Sequence, residues 1–427
     1  MTTYEMIKGL RGEIEVPTDK SITHRSFMLG GMAEGTTRVT NPLMSRDTKA
    51  TMAAMQALGA EFSPIENGFI IESKGFRNFI EPSNIINCEN SGTTARLLTG
   101  VITPAGVYAV LTGDDSLRKR PMDRVIKPLS ELGARMEAAS GGSLMPLTIL
   151  PSVMKPGVID AVTKSAQVKS SILLAGVQLE GTTIYNEKVP TRNHSEIMLR
   201  QFGADVQTDG LSIAVHGAEK LTPSDVQVPG DISSAAFFIG AALMFENSSV
   251  TIKNVGLNPT RTGIIEALEG FGVKIEKHLH PTEGEPIGDI HIESQNFKGG
   301  CVKGEIIANM IDELPMLAHL GLFAENPVEI REAAELRVKE SDRISAVVHN
   351  LRQLGAQVEE YEDGLKVYPL EKLTGEGKLK SFDDHRIAML SILLCKRFGS
   401  NVSVDETASI DVSFPNFPEI LSTIEVR

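Results

Sequence analysis

The chain is poor in the features that mark secreted and membrane-spanning proteins. It has only three cysteines, Cys88, Cys301 and Cys395, which are widely spaced and match no metal-ligand pattern. This spacing predicts reduced, mostly buried thiols. The longest apolar run, residues 235–245, contains a glycine and is far short of the roughly 20 residues that span a bilayer. Residues 1–6 lack the apolar core of a secretion signal. We therefore expect a cytoplasmic protein without a membrane partner.

Basic residues are also in short supply. Lysine and arginine together number 42 against 55 aspartates and glutamates, which gives a formal net charge of -13. Such a charge argues against nucleic acid as a partner, and an anionic substrate would need a local pocket of positive charge. The chain has no phosphate-loop lysine motif, no metal-spaced group of His, Cys and carboxylates, and no serine elbow. These absences predict a site without metal or cofactor.

One short pattern recurs along the chain. An amphipathic segment ends in glycine, a small or branched apolar residue follows, and an alternating run comes next; the glycines are Gly59, Gly133, Gly203, Gly272 and Gly355. The pattern is typical of a helix closed by a left-handed glycine that leads into a half-buried strand. The copies follow one another at intervals of about 70 to 80 residues. Helices and strands should therefore alternate throughout.

A larger repeat relates the two halves of the chain. Residues 16–21 resemble residues 228–233, residues 41–62 parallel residues 254–275, and residues 169–174 echo residues 389–394. The separation is each time about half of the chain, which indicates two homologous halves of three units each. At this length two domains of about 200 residues are expected. Substrates commonly bind at the interface of such domains.

Several segments concentrate charge, hydroxyl groups or glycine where packing alone would not require them. They are Lys20-Ser21 with Arg25, Asn90 to Arg96, Leu117 to Pro121, Lys164 to Ser170, Ile311 to Pro315, Arg337 to Arg343, and Asp383 to Arg386. Helix starts and glycine turns offer backbone N–H groups to anions, and arginine binds carboxylate and phosphate through paired hydrogen bonds. Each segment alone is also compatible with a helix cap, a solvated loop or a surface salt-bridge ladder.

Two expectations concern the acid–base residues among these segments. Asp312 is in a largely apolar segment, and such a setting favours a raised pKa and hence base character. Lys339, Glu340 and Arg343 are expected on one helical face. With the arginines of the other segments, these residues predict a site for one or two strongly anionic small molecules, with an aspartate, a glutamate and a lysine for proton transfer.

In their order along the chain, these segments closely resemble the family of 5-enolpyruvylshikimate-3-phosphate synthases. Residues 165–169, 192–196 and 258–261 are similar to its class II branch. The resemblance implies an α/β (α+β) fold of two similar lobes, each of three βαβαββ units, the inside-out α/β barrel of enolpyruvyl transferases. It implies one lobe from residues 1–18 and 231–427, another from residues 19–230, and an active site in the cleft between them.

The resemblance also implies a reaction and its residues. The enolpyruvyl group of phosphoenolpyruvate would pass to the 5-hydroxyl of shikimate 3-phosphate in aromatic amino acid (chorismate) biosynthesis, in a monomer that binds these small molecules and no nucleic acid. Shikimate 3-phosphate would be bound by Lys20, Ser21, Arg25, Ser165, Ala166, Gln167, Arg192, Asp312 and Lys339. Phosphoenolpyruvate would be bound by Lys20, Gly92, Arg120, Gln167, Arg343 and Arg386. Asp312 would take the hydroxyl proton, Lys20 and Glu340 are both candidates to protonate the methylene carbon, and His385 would assist breakdown of the tetrahedral adduct.

Two alternative functions and three departures from the family pattern accompany this prediction. One alternative is an enolpyruvyl transferase that acts on a nucleotide sugar, although that family usually carries a cysteine in its cationic lid and residues 114–121 contain none. The other is a non-catalytic anion-binding relative, which would be expected to lose Asp312, Glu340 or Lys20. The departures are Thr18, Glu89 and Asp383, where the family usually has glycine or another small residue.

Overall fold

Helices and strands alternate along the whole chain. The computed structural model describes residues 1–427, apart from the side chain of Val412. The helices are α1 Lys20–Met32, α2 Arg46–Ala57, α3 Gly92–Ile102, α4 Asp123–Glu131, α5 Ala139–Gly142, α6 Ala166–Gly176, α7 His194–Gln201, α8 Ile232–Met244, α9 Gly263–Gly270, α10 Ile306–Asn309, α11 Leu314–Leu320, α12 Arg343–Gln353, α13 His385–Phe398 and α14 Phe417–Thr423. Among the described residues, no helix has both the length and the apolar composition that a membrane crossing requires.

The strands are mostly short. They are β1 Gly9–Ile14, β2 Glu34–Thr40, β3 Glu61–Ile65, β4 Gly68–Lys74, β5 Ile86–Asn87, β6 Ala109–Thr112, β7 Arg135–Ala138, β8 Leu144–Leu150, β9 Val158–Asp160, β10 Thr182–Asn186, β11 Val206–Asp209, β12 Ser212–His216, β13 Val226–Gln227, β14 Ser249–Gly256, β15 Glu276–Leu279, β16 Ile287–Glu293, β17 Gly300–Val302, β18 Val328–Ile330, β19 Val358–Tyr361, β20 Gly364–Val367, β21 Lys378–Leu379, β22 Ser403–Val404 and β23 Glu425–Val426.

The chain divides into two compact units, each with a hydrophobic core of its own. Unit 1 consists of Met1–Pro17, Gly230–Pro281 and Pro286–Arg427. Unit 2 consists of Thr18–Pro229 together with the short segment Thr282–Glu285. No pattern in the sequence predicts that these four residues separate from their chain neighbours.

Unit 2 contains three four-stranded sheets of one design. Their strand orders are β13-β2-β4-β3, β5-β6-β8-β7 and β9-β10-β12-β11. In each sheet the first two strands are parallel, and the remaining pairs are antiparallel. A helix connects the parallel strands of the last two sheets, and a second helix precedes each hairpin. This is the βαβαββ unit that the family resemblance implied.

Unit 1 repeats the design with one reduced copy. The sheet β17-β18-β20-β19 has the same pattern, and the sheet β15-β16-β14-β1 gains β23 as a fifth strand beside β1. The remaining sheet contains only β21 and β22. The hairpin is therefore missing from the sixth unit in the described residues, which explains why the glycine pattern occurs five times in the sequence. The predicted fold class is confirmed.

The recurring glycines end their helices as predicted. Gly59, Gly133, Gly203, Gly272 and Gly355 have φ angles between 82° and 103°, in the left-handed region that side chains other than glycine rarely adopt. Each of these glycines follows a helix and is followed by an antiparallel pair of strands. The pattern thus marks element boundaries because a local backbone requirement selects the residue.

The half-chain repeat is visible in two largely buried helices. Helices α1 and α8 are each 13 residues long, and each begins after an aspartate whose side chain accepts a hydrogen bond from the first turn. The N–H of Asp19 donates to the carbonyl of Pro229, and the N–H of Asp231 donates to that of Pro17, both at 2.8 Å. The two halves therefore share the same helix start, as the matching residues predicted.

Candidate active site

Three helices of unit 2 begin at predicted site residues. The side chains of Asp19, Ser91 and Ser165 cap helices α1, α3 and α6 by accepting hydrogen bonds from backbone N–H groups at 2.9, 3.0 and 3.4 Å. The remaining N–H groups of each first turn, and the positive end of the helix dipole, favour a bound anion. The cap and the anion-binding interpretation are therefore compatible at each of these three positions.

Gly92 lies beside two guanidinium groups. A Cβ atom at this position would be 3.0 Å from Nη1 of Arg96 and 3.6 Å from Nη1 of Arg120. Arg96 donates a hydrogen bond to Oε1 of Gln167 at 2.5 Å, and Arg120 donates one to Oδ1 of Asn90 at 2.5 Å. The glycine therefore leaves room for a cationic cluster that includes three of the predicted residues.

Arg96 is a member of this cluster that sequence reasoning missed. Burial and two neighbouring arginines lower the pKa of Arg96 to about 10, so its side chain still carries a positive charge at neutral pH. The available signal was its spacing, because Arg96 stands four residues after Gly92 and hence on the same face of helix α3. Arg96 is the last residue of the candidate segment Asn90 to Arg96, in which Gly92 alone is a predicted substrate ligand.

Arg25 is buried, and its guanidinium group donates three hydrogen bonds to neutral groups. Its Nε donates to Oγ of Ser195 and its Nη2 to Oγ of Ser170, both at 2.8 Å, while its Nη1 donates to the backbone carbonyl of Ser21 at 2.9 Å. Burial lowers the pKa of Arg25, and the carboxylates of Glu196, Asp19 and Glu285 only partly offset this effect. These contacts fix the guanidinium without neutralising its charge, which leaves the charge available to an anion.

Lys20, the other cation of the opening segment, is in a different environment. Its side chain is 47% exposed, and its Nζ forms an ion pair with Asp47. The two cations of this segment therefore differ in environment: Arg25 is buried inside unit 2, whereas Lys20 is exposed and paired with Asp47.

In unit 1 the predicted residues gather around Arg343. Its Nε donates to Oδ2 of Asp384 at 2.9 Å, its Nη1 to Oδ1 of Asp312 at 3.2 Å, and its Nη2 to Oε2 of Glu340 at 2.6 Å. Lys339 places its Nζ 3.8 Å from the same oxygen of Asp312. Burial disfavours the charge on Asp384, but the Arg343 guanidinium outweighs burial and lowers the pKa of Asp384. Arg343 thus joins three carboxylates in one network.

Two expectations about this region were wrong. Asp312 does not lie in an apolar setting, because Lys339 and Arg343 contact its carboxylate. Lys339, Glu340 and Arg343 do not share a helical face: helix α12 begins at Arg343, and Lys339 has an extended backbone. The reason is Asp342, whose side chain caps α12 through the N–H of Ser345 at 3.1 Å. The three residues still meet, because the loop before the cap folds back onto Arg343.

His385 and Arg386 occupy the first turn of helix α13. Asp384 caps this helix by accepting a hydrogen bond from the N–H of Arg386 at 2.9 Å. Burial, followed by the charge of Arg386, lowers the pKa of His385 to about 4. The imidazole is therefore neutral at pH 7, and the charge at this helix start comes from Arg386.

The three departures from the family pattern have different structural explanations. Glu89 and Asp383 have φ angles of 53° and 54°, the left-handed conformation for which the family's glycine is the least strained residue. Asp383 is exposed, and the carboxylate of Glu89 forms an ion pair with Arg46. Thr18 does not have a positive φ angle, so its backbone does not require glycine.

Comparison with known proteins identifies relatives over the full length of the chain. A sequence model described as EPSP synthase (3-phosphoshikimate 1-carboxyvinyltransferase) matches residues 4–421. A protein of Geobacter metallireducens named 3-phosphoshikimate 1-carboxyvinyltransferase is 43% identical over 426 residues, covering 100% of this chain and 99% of the relative. The protein of the same name from Bacillus subtilis is 42% identical and covers 99% of each chain.

Solved structures agree with these sequence relatives. An EPSP synthase from Acinetobacter baumannii superposes with a TM-score of 0.93 at 38% identity, covering 99% of this chain and 98% of that one. The enolpyruvyl transferase NikO from Streptomyces tendae has a TM-score of 0.74 at 18% identity, over 98% of this chain and 96% of that one. The second likeness concerns the fold alone. The resemblance inferred from the motifs is confirmed.

Proposed function

The chain belongs to the EPSP synthase family, and we propose that the charged groups described in its two units together form the site of this family's reaction. The chain is an enzyme of the shikimate pathway. It transfers the enolpyruvyl group of phosphoenolpyruvate to the 5-hydroxyl of shikimate 3-phosphate, with release of phosphate, in the biosynthesis of chorismate and the aromatic amino acids. The assignment of roles to residues, and of the site to both units, is the proposed part.

Shikimate 3-phosphate binds to groups from both units in this proposal. Unit 2 contributes Lys20, Ser21, Arg25, Ser165, Ala166, Gln167 and Arg192, and unit 1 contributes Asp312 and Lys339. Support comes from the fixed but unneutralised charge of Arg25 and from the free N–H groups at the start of helix α6. A phosphate with two negative charges is best bound by this combination of arginine and helix start.

Phosphoenolpyruvate binds to the second set of cations. Lys20, Gly92, Arg120 and Gln167 are its unit 2 ligands, and Arg343 and Arg386 its unit 1 ligands. In unit 1 the substrate carboxylate replaces Glu340 on Arg343, because Glu340 is 52% exposed whereas Asp384 is fully buried. Exchange of one carboxylate for another keeps the charge of the network constant. It also releases Glu340 toward the reacting carbon.

The contact of Asp312 with Lys339 and Arg343 is the observation that carries the catalytic assignment. An ionised carboxylate held between two cations is fixed in place and ready to accept the proton of the 5-hydroxyl. As the hydroxyl oxygen bonds to phosphoenolpyruvate, the methylene carbon takes a proton from the ammonium group of Lys20 or from Glu340 in its protonated, carboxylic acid form. The resulting tetrahedral adduct is strongly anionic, and the surrounding cations stabilise it. His385, neutral at pH 7, assists the elimination of phosphate.

The cell compartment and the oligomeric state of this enzyme are part of the same proposal. We place it in the cytoplasm as a monomer with its two small-molecule substrates. Two of its three free cysteines, Cys88 and Cys395, are buried, and burial raises the pKa of both thiols to about 12. Thiols of this kind are suited to a reducing compartment.

Release of phosphate from the purified protein tests the reaction. Phosphate should appear only when shikimate 3-phosphate and phosphoenolpyruvate are both present, and omission of either should abolish it. Release from phosphoenolpyruvate alone would indicate simple hydrolysis, and no release with both substrates would contradict the proposed function.

Substitution of Asp312 tests the assignment of the base. The variant Asp312→Ala should lower kcat by about 100-fold or more, since general base catalysis contributes about 10² to 10⁴, while both substrates still bind. The matched control is Glu335→Gln, because Glu335 is the other carboxylate bonded to Lys339, at 2.9 Å, and is exposed. Its kcat should stay at the wild-type value. Wild-type turnover in Asp312→Ala would remove Asp312 from its role.

A further inference from the structure

Lys169, the fourth residue of helix α6, forms a buried ion triad with Glu187 and Glu196. Lys169 is 1% exposed, and its Nζ is 2.6 Å from Oε1 of Glu196 and 3.2 Å from Oε2 of Glu187. Both carboxylates are buried as well, at 3% and 7% exposure. Burial of three charges is costly, and apolar residues of similar size would serve stability as well or better. The triad therefore requires an explanation other than stability.

The triad holds the segment that carries Arg192. Glu187 follows strand β10 and Glu196 lies in helix α7, so the segment between them closes over Lys169. Lys169 also donates a hydrogen bond to the backbone carbonyl of Thr191 at 3.3 Å, and the hydroxyl of Thr191 bonds to the other oxygen of Glu187. The residue next along the chain is Arg192. The backbone on the N-terminal side of Arg192 is therefore held by the hydrogen bond from Lys169 to Thr191.

The same triad is connected to Arg25 through its neighbours. Ser170 follows Lys169 in helix α6, and Ser195 precedes Glu196 in helix α7. The hydroxyl of Ser195 donates to that of Ser170 at 2.7 Å, and both hydroxyls accept hydrogen bonds from Arg25. One buried network therefore determines the relative placement of the α6 start, of Arg192 and of Arg25.

We propose that Lys169 is a positioning residue for the phosphate of shikimate 3-phosphate. Lys169 holds Glu187 and Glu196 in place. It thereby sets two distances, from Arg192 and from Arg25 to the N–H groups at the start of helix α6. In this proposal Lys169 does not contact the substrate. It holds the groups that do contact it in their binding positions before the substrate arrives, which lowers the entropy cost of binding. This inference rests on the proposed function, since it concerns the ligand assigned above to these groups.

Replacement of Lys169 by methionine tests the inference, because methionine keeps the length of the side chain and removes the charge. Lys169→Met should raise the KM and the calorimetric Kd for shikimate 3-phosphate at least about tenfold, which corresponds to about 1.4 kcal/mol. The KM for phosphoenolpyruvate should change less than about threefold, since most of its ligands are outside the network. A loss of folded protein alone would lower the active fraction and leave both KM values unchanged.

Two further variants make the test decisive. Thr191→Val is a milder change, because it removes one hydroxyl and no charge, and it should raise the KM for shikimate 3-phosphate about threefold. Lys396→Met is the matched control: Lys396 forms a buried ion pair with Glu425 at 2.5 Å in unit 1, and its loss should leave affinity for shikimate 3-phosphate unchanged.

The outcomes separate the inference from the proposed function. If the wild-type protein binds shikimate 3-phosphate and both Lys169→Met and Thr191→Val bind it equally well, the inference is wrong. An equal loss of affinity in Lys396→Met would also overturn it, because the effect would then follow stability. Should Lys169→Met fail to fold, Thr191→Val decides alone. If the wild-type protein itself does not bind shikimate 3-phosphate, it is the proposed function that fails.

Discussion

Arg343 is the centre of a charged network in unit 1. It is 1% exposed, and its three guanidinium nitrogens each donate to a different carboxylate. Burial alone would lower its pKa, but Asp384, Glu340 and Asp312 raise the pKa of Arg343. Two of these carboxylates are partly exposed and one is not. In the proposed function, a substrate carboxylate would therefore replace the exposed Glu340 on Arg343, while the buried Asp384 stays in place.

Gly92 gives a prediction at the scale of one methyl group. Gly92→Ala would place a Cβ atom 3.0 Å from Nη1 of Arg96 and 3.6 Å from Nη1 of Arg120. The guanidinium group of Arg96 must then shift by a few tenths of an ångström, whereas the distance to Arg120 is an ordinary van der Waals contact. We expect the KM for phosphoenolpyruvate to rise by about threefold to tenfold, about 1 kcal/mol, while the KM for shikimate 3-phosphate is unchanged. Steady-state kinetics with each substrate varied in turn measures both, and an unchanged KM for phosphoenolpyruvate would contradict the assignment.

At the scale of elements, the candidate residues share one kind of location. Helices α1, α3 and α6 in unit 2, and α12 and α13 in unit 1, begin at or next to a proposed substrate ligand. All five have a side-chain cap from aspartate or serine. A capped helix start presents free N–H groups in a fixed direction. The repeated βαβαββ unit thus supplies several anion-binding positions from a single design.

The glycine at the end of each helix gives a prediction on stability. Gly272 has a φ angle of 89°, whereas Gly270, the last residue of α9, does not have a positive φ angle. A Cβ atom added at either glycine would have no neighbouring atom within 4 Å. Gly272→Ala should destabilise the fold by about 1 to 2 kcal/mol, because alanine is strained in the left-handed region. Gly270→Ala should be neutral or stabilising by up to about 1 kcal/mol, because alanine favours the helix.

Thermal denaturation of the two variants beside the wild-type protein measures both effects. Since neither added methyl group meets a neighbour, the pair compares backbone conformation alone. Equal effects in the two variants would mean that conformation does not select glycine at these helix ends.

At the scale of the whole molecule, the two halves have the same helix start but different functions there. Lys20 opens helix α1 with 47% of its side chain exposed, whereas the equivalent Ile232 opens α8 and is buried in the core of unit 1. The cap and the helix length are the same in both. One copy therefore serves packing alone, and the other adds a cation at the position where the chain enters unit 2.

Shikimate 3-phosphate is expected to draw the two units together. Its proposed ligands come from both units, for example Arg25 from unit 2 and Lys339 from unit 1, so one bound molecule would link the two units. Small-angle X-ray scattering should show a smaller radius of gyration with saturating ligand. In Lys339→Met the decrease should be weaker. No compaction of the wild-type protein would count against a site formed by both units.

Buried histidines make the stability of the protein dependent on pH. Burial is the largest cause that lowers the pKa of His24 to about 3, and of His319 and His385 to about 4. Below pH 6.5 the unfolded chain binds more protons at these positions, so stability is complete above that pH and falls as the pH drops toward 4. One such histidine should cost about 2 kcal/mol at pH 5.

Denaturation by urea between pH 7 and pH 5 measures this loss. The variant His319→Gln should reduce the slope of stability against pH, whatever its effect at pH 7. His278→Gln is the control, because His278 is 69% exposed and should leave the slope unchanged. A slope that is the same in both variants would show that His319 does not remain neutral in the folded protein.

The sequence by itself determined the repeating architecture and the positions of the helix starts. Left-handed glycines such as Gly355 and caps such as Asp19 act within a few residues of chain, so the sequence states them directly. The tertiary structure alone decided the surroundings of Asp312, the membership of Arg96, and the burial of Lys169 between two carboxylates. These depend on contacts between residues far apart in the chain, which are set by packing and not by local backbone preference.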